Sequence, residues 1–259
     1  MRRTGQADIP EAATARERVA EAGAPAIPVS RAAGPLILSD VLLQGMRYLL
    51  LLYLGYRSLT YAGAFLLGSA LGAVLGGMVD FGINQYWLRL TGPDLCLNQR
   101  TFSRVLRGKV LACLGGLLCI GGGIALGAWS PSLPMAMVVG IGLAATQVLA
   151  ETCEAAGLSL HRYQMVALFR VLMSVGMYGV PLVLAWTLQQ EANHAGLDLA
   201  LLAGLMIGVL LCGLYAWKMM ALLPGGTYGD RGYRRAWWEA RWLGLNQIAI
   251  VLDVRAPLL

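Results

Sequence analysis

Charge is scarce in this sequence: Asp, Glu, Lys and Arg make up 13% of 259 residues, about half the share of an ordinary soluble domain. Histidine is scarcer still. His161 and His194 are the two present, and no cysteine stands at a zinc-ligand spacing from either, which removes zinc chemistry from the candidates. A phosphate-binding P-loop, a His-Glu-x-x-His pair and a Gly-x-Ser-x-Gly elbow are all missing. The sequence therefore offers no ATP coupling of its own, no metalloprotease centre and no hydrolase nucleophile. Neither catalytic residues nor a cofactor are expected, and the protein does not read as an enzyme. Residues 1–34 contain no apolar run, so a cleaved secretion signal is not expected.

What the sequence has instead is apolar residues, 58% of the total, in long blocks. Five blocks carry no Asp, Glu, Lys, Arg or His: Ser58–Val79, Val110–Trp129, Leu133–Ala150, Val171–Gln189 and Leu199–Trp217. Another, Val41–Tyr56, is interrupted by Arg47 alone. Each approaches the roughly 20 residues with which a helix crosses about 30 Å of hydrocarbon. They do not alternate in the manner of barrel strands. The fold class is all-α, a polytopic helical membrane protein with six transmembrane helices plus an incomplete seventh.

A formal charge of +6 raises nucleic acid as a partner, but the distribution argues against it. Cations gather in alternate connections. Arg2, Arg3, Arg16, Arg18 and Arg31 precede the first span, and Arg89, Arg100, Arg104, Arg107 and Lys109 join the second to the third. Arg162 and Arg170 stand between the fourth and fifth, and Lys218, Arg231, Arg234, Arg235 and Arg241 follow the sixth. The intervening connections carry Arg57 alone. Such asymmetry marks the cytoplasmic side. It predicts a bacterial inner-membrane protein with its amino terminus in the cytoplasm, contacting membrane lipids and not nucleic acid. Cys96, Cys113, Cys119, Cys153 and Cys212 fall in spans or cytoplasmic segments and are expected as reduced thiols.

The expected organisation is a disordered basic tail over 1–34, a six-helix transmembrane unit over 35–222, a cytoplasmic or interfacial linker over 223–241 and an incomplete seventh helix over 242–259. The linker contains a flexible PGGTYGDRGYRR stretch and then Trp237, Trp238 and Trp242 among arginines. This suits either a helix lying in the interface or a basic anchor before another span. Trp242–Leu252 is about half the length a span requires.

Polar residues inside spans mark cavities or internal pairs. Asp40, Gln44 and Arg47 share one face of the first span at i, i+4 and i+7, and Gln147, Glu151 and Glu154 repeat that spacing in the fourth. Arg47 lies about two turns inside. It is the favoured anchor for an anionic substrate, a phosphate or pyrophosphate; the alternative is an ion pair with Asp40, Asp80 or Asp253. Arg170 stands where it can pair with Glu151 or Glu154. Asn246 and Asp253 form a further polar pair in the last segment. Gly68, Gly72 and Gly76 form a consecutive small face on the second span, with Gly123 and Gly127, then Gly204 and Gly208, repeating the motif; close helix packing is the expected use. Pro181 predicts a kink, because it withholds a donor from the carbonyl of Met177.

The sequence LGYRSLTYAGAF followed by MVDFGINQYWLR resembles the opening helix pair of polysaccharide flippases in the multidrug/oligosaccharidyl-lipid/polysaccharide exporter superfamily. Leu54, Gly55 and Gly63 match the turn, and Asp80, Gly82 and Arg89 match the close. LSLHRYQMVALFRVL is similar to the link before that family's fifth helix, and WLGLNQIAIVLDVRAPLL, with Asp253, to the start of its seventh. The resemblance spans Leu36–Arg255. Arg57 departs from it, standing where an acidic or proline-containing stretch is commoner.

The resemblance implies one lobe of a two-lobe transporter that rocks between inward-open and outward-open states. The cargo it implies is a lipid-linked oligosaccharide of the undecaprenyl-pyrophosphate type, for surface polysaccharide biosynthesis. Cavity candidates are then Arg47, Gln44, Asp40, Asn246 and Asp253. The family has twelve or more helices, so a second lobe, a homodimer partner or a truncated gene product is expected. Two alternatives remain at this point: a scaffold or subunit of a polysaccharide assembly complex, and a drug or cation exporter of the same superfamily, which Asp40 and Asp80 would suit.

Overall fold

The computed structural model describes residues 29–80, 82–89, 97–125, 135–187, 194–223 and 240. Among these, all regular structure is helical: α1 Val29–Arg57, α2 Leu59–Asp80, α3 Ile83–Arg89, α4 Gln99–Ala125, α5 Met135–Ser159, α6 Tyr163–Ser174, a π turn Val175–Gly179, α7 Val180–Thr187 and α8 His194–Leu222. Five segments are long and apolar enough to cross a membrane: Ala33–Arg57, Leu59–Asp80, Met135–Ser159, Tyr163–Thr187 and Gly196–Leu222. The expected third span, Val110–Trp129, overlaps α4 over 110–125, but α4, whose first turns carry Arg100, Arg104, Arg107 and Lys109, is not one of the five. Helix α1 begins at Val29, ahead of the tail boundary drawn after residue 34. The WSPSLP turn, the linker with Trp237, Trp238 and Trp242, the seventh segment with Asn246 and Asp253, Cys96 and Gly127 lie outside the described residues.

A single residue separates the first two spans. Ser58 donates its amide to the Leu54 carbonyl at 2.8 Å, while its Oγ accepts the Tyr61 amide at 3.3 Å. That is a helix cap placed where one span ends and the next begins. Between α2 and α3 the chain turns at Gly82 with φ 76°, a left-handed conformation that favours glycine. Asn98 caps α4 by accepting the Thr101 amide at 2.8 Å.

The most extensive pairing among the described helices is α2 on α5, and glycine explains it. A Cβ on Gly72 would lie 2.5 Å from the Ala144 Cβ, and one on Gly140 would lie 2.7 Å from the Phe65 carbonyl. On either side, a Cβ on Gly68 would strike the Met137 backbone and one on Gly76 the Val148 side chain. The backbones thus approach more closely than any larger residue allows. Helix α8 uses the same device against the π turn. A Cβ on Gly204 would meet the Met177 carbonyl at 2.7 Å, and one on Gly208 the Met177 Cγ at 2.7 Å. Pro181 cannot supply the donor that the Met177 carbonyl lacks, and the helix answers with a wider turn closed by the Val180 amide on the Val175 carbonyl. Expected as a kink, the interruption takes the form of a π turn.

Candidate functional site in a polar seam between helices

Among the cavities between the described helices, two have polar walls in common. The first, about 240 Å³, is walled by Asp40 and Gln44 from α1, Gln147, Glu151 and Glu154 from α5, and Arg170 from α6, with Met173, Met177 and Tyr178 beneath. The second, about 200 Å³, is lined by Arg47 from α1, Ser69, Gly76 and Asp80 from α2, and again Gln147 and Glu151. The shared residues make the two one polar seam. The i, i+4, i+7 stripes of α1 and α5 thus flank a common space.

Within the seam the charges are not equally committed. Arg170 donates to Glu154 Oε2 through Nε at 2.8 Å and Nη2 at 2.7 Å, and its Nη1 lies 3.8 Å from Asp40 Oδ1. Gln147 Nε2 donates to Glu151 Oε1 at 3.2 Å. Arg47, half-buried, has no ion-pair partner among the described residues. Two of the three carboxylates that could have neutralised it, Asp40 and Asp80, serve other cations; the third, Asp253, lies outside the described residues.

Asp80 belongs to a buried node that the sequence alone did not reveal. Lys109 and Asp80 are each 3% exposed and form an ion pair. Lys109 Nζ also donates to Asn84 Oδ1 at 2.9 Å and Thr152 Oγ1 at 2.8 Å. All three donor sites of the ammonium are used, and α2, α3, α4 and α5 meet at one atom. Sequence reasoning assigned Lys109 to a cytoplasmic connection with its neighbouring arginines. The signal for its helical setting is Asn98: a cap there starts α4 at Gln99 and puts Lys109 roughly three turns into a helix.

The opposite end of the bundle is tied by two tyrosines. Tyr61 on α2 donates to Asp198 on α8, and the Tyr53 hydroxyl donates to the Ala185 carbonyl at 2.9 Å. Asp198, expected in a connection, is a first-turns residue of α8. The cysteines 113, 119, 153 and 212 are free thiols.

Spans of this length, packed through glycine and enclosing a polar seam, define a multi-pass helical membrane protein. The chain matches no family model, no curated protein and no solved structure.

Proposed function

We propose that this protein moves a lipid-linked oligosaccharide, of the undecaprenyl-pyrophosphate type, across the bacterial inner membrane as one lobe of an alternating-access flippase. In this reading α4 is the third of six spans, the amino terminus is cytoplasmic, and the segment over 242–259 begins a seventh. The observation that carries the reading is Arg47: a guanidinium in a membrane-spanning helix, facing a cavity, with no carboxylate partner among the described residues. A buried cation is costly in a bilayer and is kept where it has a partner or a ligand. A pyrophosphate supplies that partner, and a guanidinium binds it through paired hydrogen bonds. Gln44 and Gln147 line the same seam, where their amides suit sugar hydroxyls.

The test is transport by the reconstituted protein of a fluorescent undecaprenyl-pyrophosphate glycan, with Arg47→Ala beside the parent at equal abundance. Loss of transport supports the reading; unchanged transport removes Arg47 from it. A second reading, export of a drug or other organic cation, is favoured by one observation: Asp40, Glu151 and Glu154 set three carboxylates against Arg170 in the first cavity. There Glu151→Gln, and not Arg47→Ala, would abolish transport.

A further inference from the structure

Helix α4 sorts its cations onto opposite faces. Lys109 is buried, as are Thr101, Phe102 and Val105 on the same side. Arg100, Arg104 and Arg107 are exposed. Their spacing continues through Leu111, Leu114 and Leu118, which are 69%, 51% and 75% exposed. At 3.6 residues per turn these six side chains fall within an arc of about 80°, with Lys109 on the far side of the helix. One outward stripe thus runs from arginine to leucine.

Its height follows from the buried node. Lys109 pairs with Asp80, the last residue of the candidate span Leu59–Asp80, so α4 at Lys109 is level with the end of that span. Beyond Lys109, residues 110–125 carry no Asp, Glu, Lys or Arg. Before it, Arg107, Arg104 and Arg100 stand about 3, 8 and 14 Å further out along the helix. The leucines therefore face hydrocarbon, and the arginines face the layer where hydrocarbon gives way to water. Anionic phosphate is what a bilayer offers there. Helix α4 contains no acidic residue to compete for these arginines. Gly108, exposed among them with open space where a Cβ would stand, leaves room for a headgroup against the backbone.

We propose that this face of α4 is a binding site for anionic phospholipid. Arg100, Arg104 and Arg107 hold the phosphodiester, and the acyl chains lie along Leu111, Leu114 and Leu118. A guanidinium binds phosphate through paired hydrogen bonds, and each basic residue near an anionic bilayer surface is worth about fivefold in binding. The inference rests on α4 entering the membrane as the proposed third span; Arg47 and the cargo have no part in it.

The test is the lipid retained by the detergent-purified, delipidated chain, counted by native mass spectrometry after adding phosphatidylglycerol or phosphatidylcholine with the same acyl chains. The parent should retain phosphatidylglycerol in preference, and less of it as salt is raised. Arg100→Gln, Arg104→Gln and Arg107→Gln should each weaken that retention about fivefold, and all three together about a hundredfold. Arg162→Gln, on the exposed link between α5 and α6, should leave it unchanged. Glycerophosphoglycerol, the headgroup without chains, should not compete.

Equal retention of the two lipids by the parent overturns the proposal, and that comparison needs no variant to fold. A loss with Arg162→Gln as large as with the α4 variants would make the preference a diffuse property of basic charge and overturn it too. So would competition by glycerophosphoglycerol, which marks a site for free anions. Release of a bound protein or nucleic acid by the triple variant, with lipid retention unchanged, would give the face to another partner. Cys119 is exposed on α4; kept as the sole cysteine, it should resist a water-borne maleimide in intact membranes. Labelling there would sink both this inference and the third-span reading, whereas a protected Cys119 with no lipid preference would sink this inference alone.

Discussion

Lys109 on α4 and Asp80 at the end of α2 form a buried ion pair, with Asn84 and Thr152 completing the ammonium's shell. Removing one partner strands the other in a low-dielectric site, which costs about 3–5 kcal/mol. Lys109→Met or Asp80→Leu alone should therefore lower the melting temperature of the detergent-solubilised protein sharply. The Lys109→Met, Asp80→Leu double variant should regain most of the loss. Equal damage from single and double variants would show that the node's worth is in its hydrogen bonds and not in charge balance.

The glycine face of α2 gives a graded prediction. A methyl on Gly76 meets the Val148 side chain, whereas a methyl on Gly68 meets the Met137 backbone, which cannot swing aside. Overpacking of this kind costs roughly 1–3 kcal/mol. Gly76→Ala should be partly rescued by Val148→Ala, and Gly68→Ala should not be rescued by truncating the Met137 side chain. Thermal unfolding of the four variants decides, and rescue at both positions would mean that the helices slide apart freely.

Of the two tyrosine ties at the far end, Tyr61 joins α2 to α8 and Tyr53 joins α1 to α7. Tyr61→Phe deletes the hydroxyl that reaches Asp198, a hydrogen bond to a carboxylate worth about 1.5–3 kcal/mol. The expected result is a lower melting temperature and faster hydrogen exchange in the first turns of α8. No change in either would mean that Asp198 is satisfied without Tyr61.

Much of this arrangement is legible in the sequence because lipid imposes simple rules. A long uncharged run that does not alternate crosses lipid as a helix, so the spans of α2, α5, α6–α7 and α8 follow from apolar length and pattern. The 3.6-residue period then puts Asp40, Gln44 and Arg47 on one face and Gln147, Glu151 and Glu154 on another. What periodicity does not carry is which faces meet. That the two stripes border one seam, and that Arg170 takes Glu154, are facts of tertiary packing. Lys109 escaped because charge near a span end reads as orientation; only the Asn98 cap reveals that the helix has already begun. The π turn was legible as a break at Pro181, but its form depends on Gly204 standing close to the Met177 carbonyl.

Arg47 and Arg170 offer the sharpest comparison, since both are arginines in the seam. Arg170→Gln leaves Glu154, 9% exposed, without its cation, and leaves Asp40 without its neighbour as well. About 3–5 kcal/mol of stability should go with it, and any loss of transport would follow from loss of folded protein. Arg47→Gln strands no carboxylate among the described residues, so its stability should stay within about 0.5 kcal/mol of the parent. Its transport of a pyrophosphate-linked glycan should nevertheless fall at least tenfold, one missing charge-assisted hydrogen bond being worth about 1.5–3 kcal/mol. Arg47→Lys should recover part of that rate, because an ammonium keeps the charge but not the planar fork. Melting temperature and transport rate, measured on the same preparations, separate the two arginines. If Arg47→Gln proves as unstable as Arg170→Gln, Arg47 has a structural partner and its place as the substrate's anchor is lost.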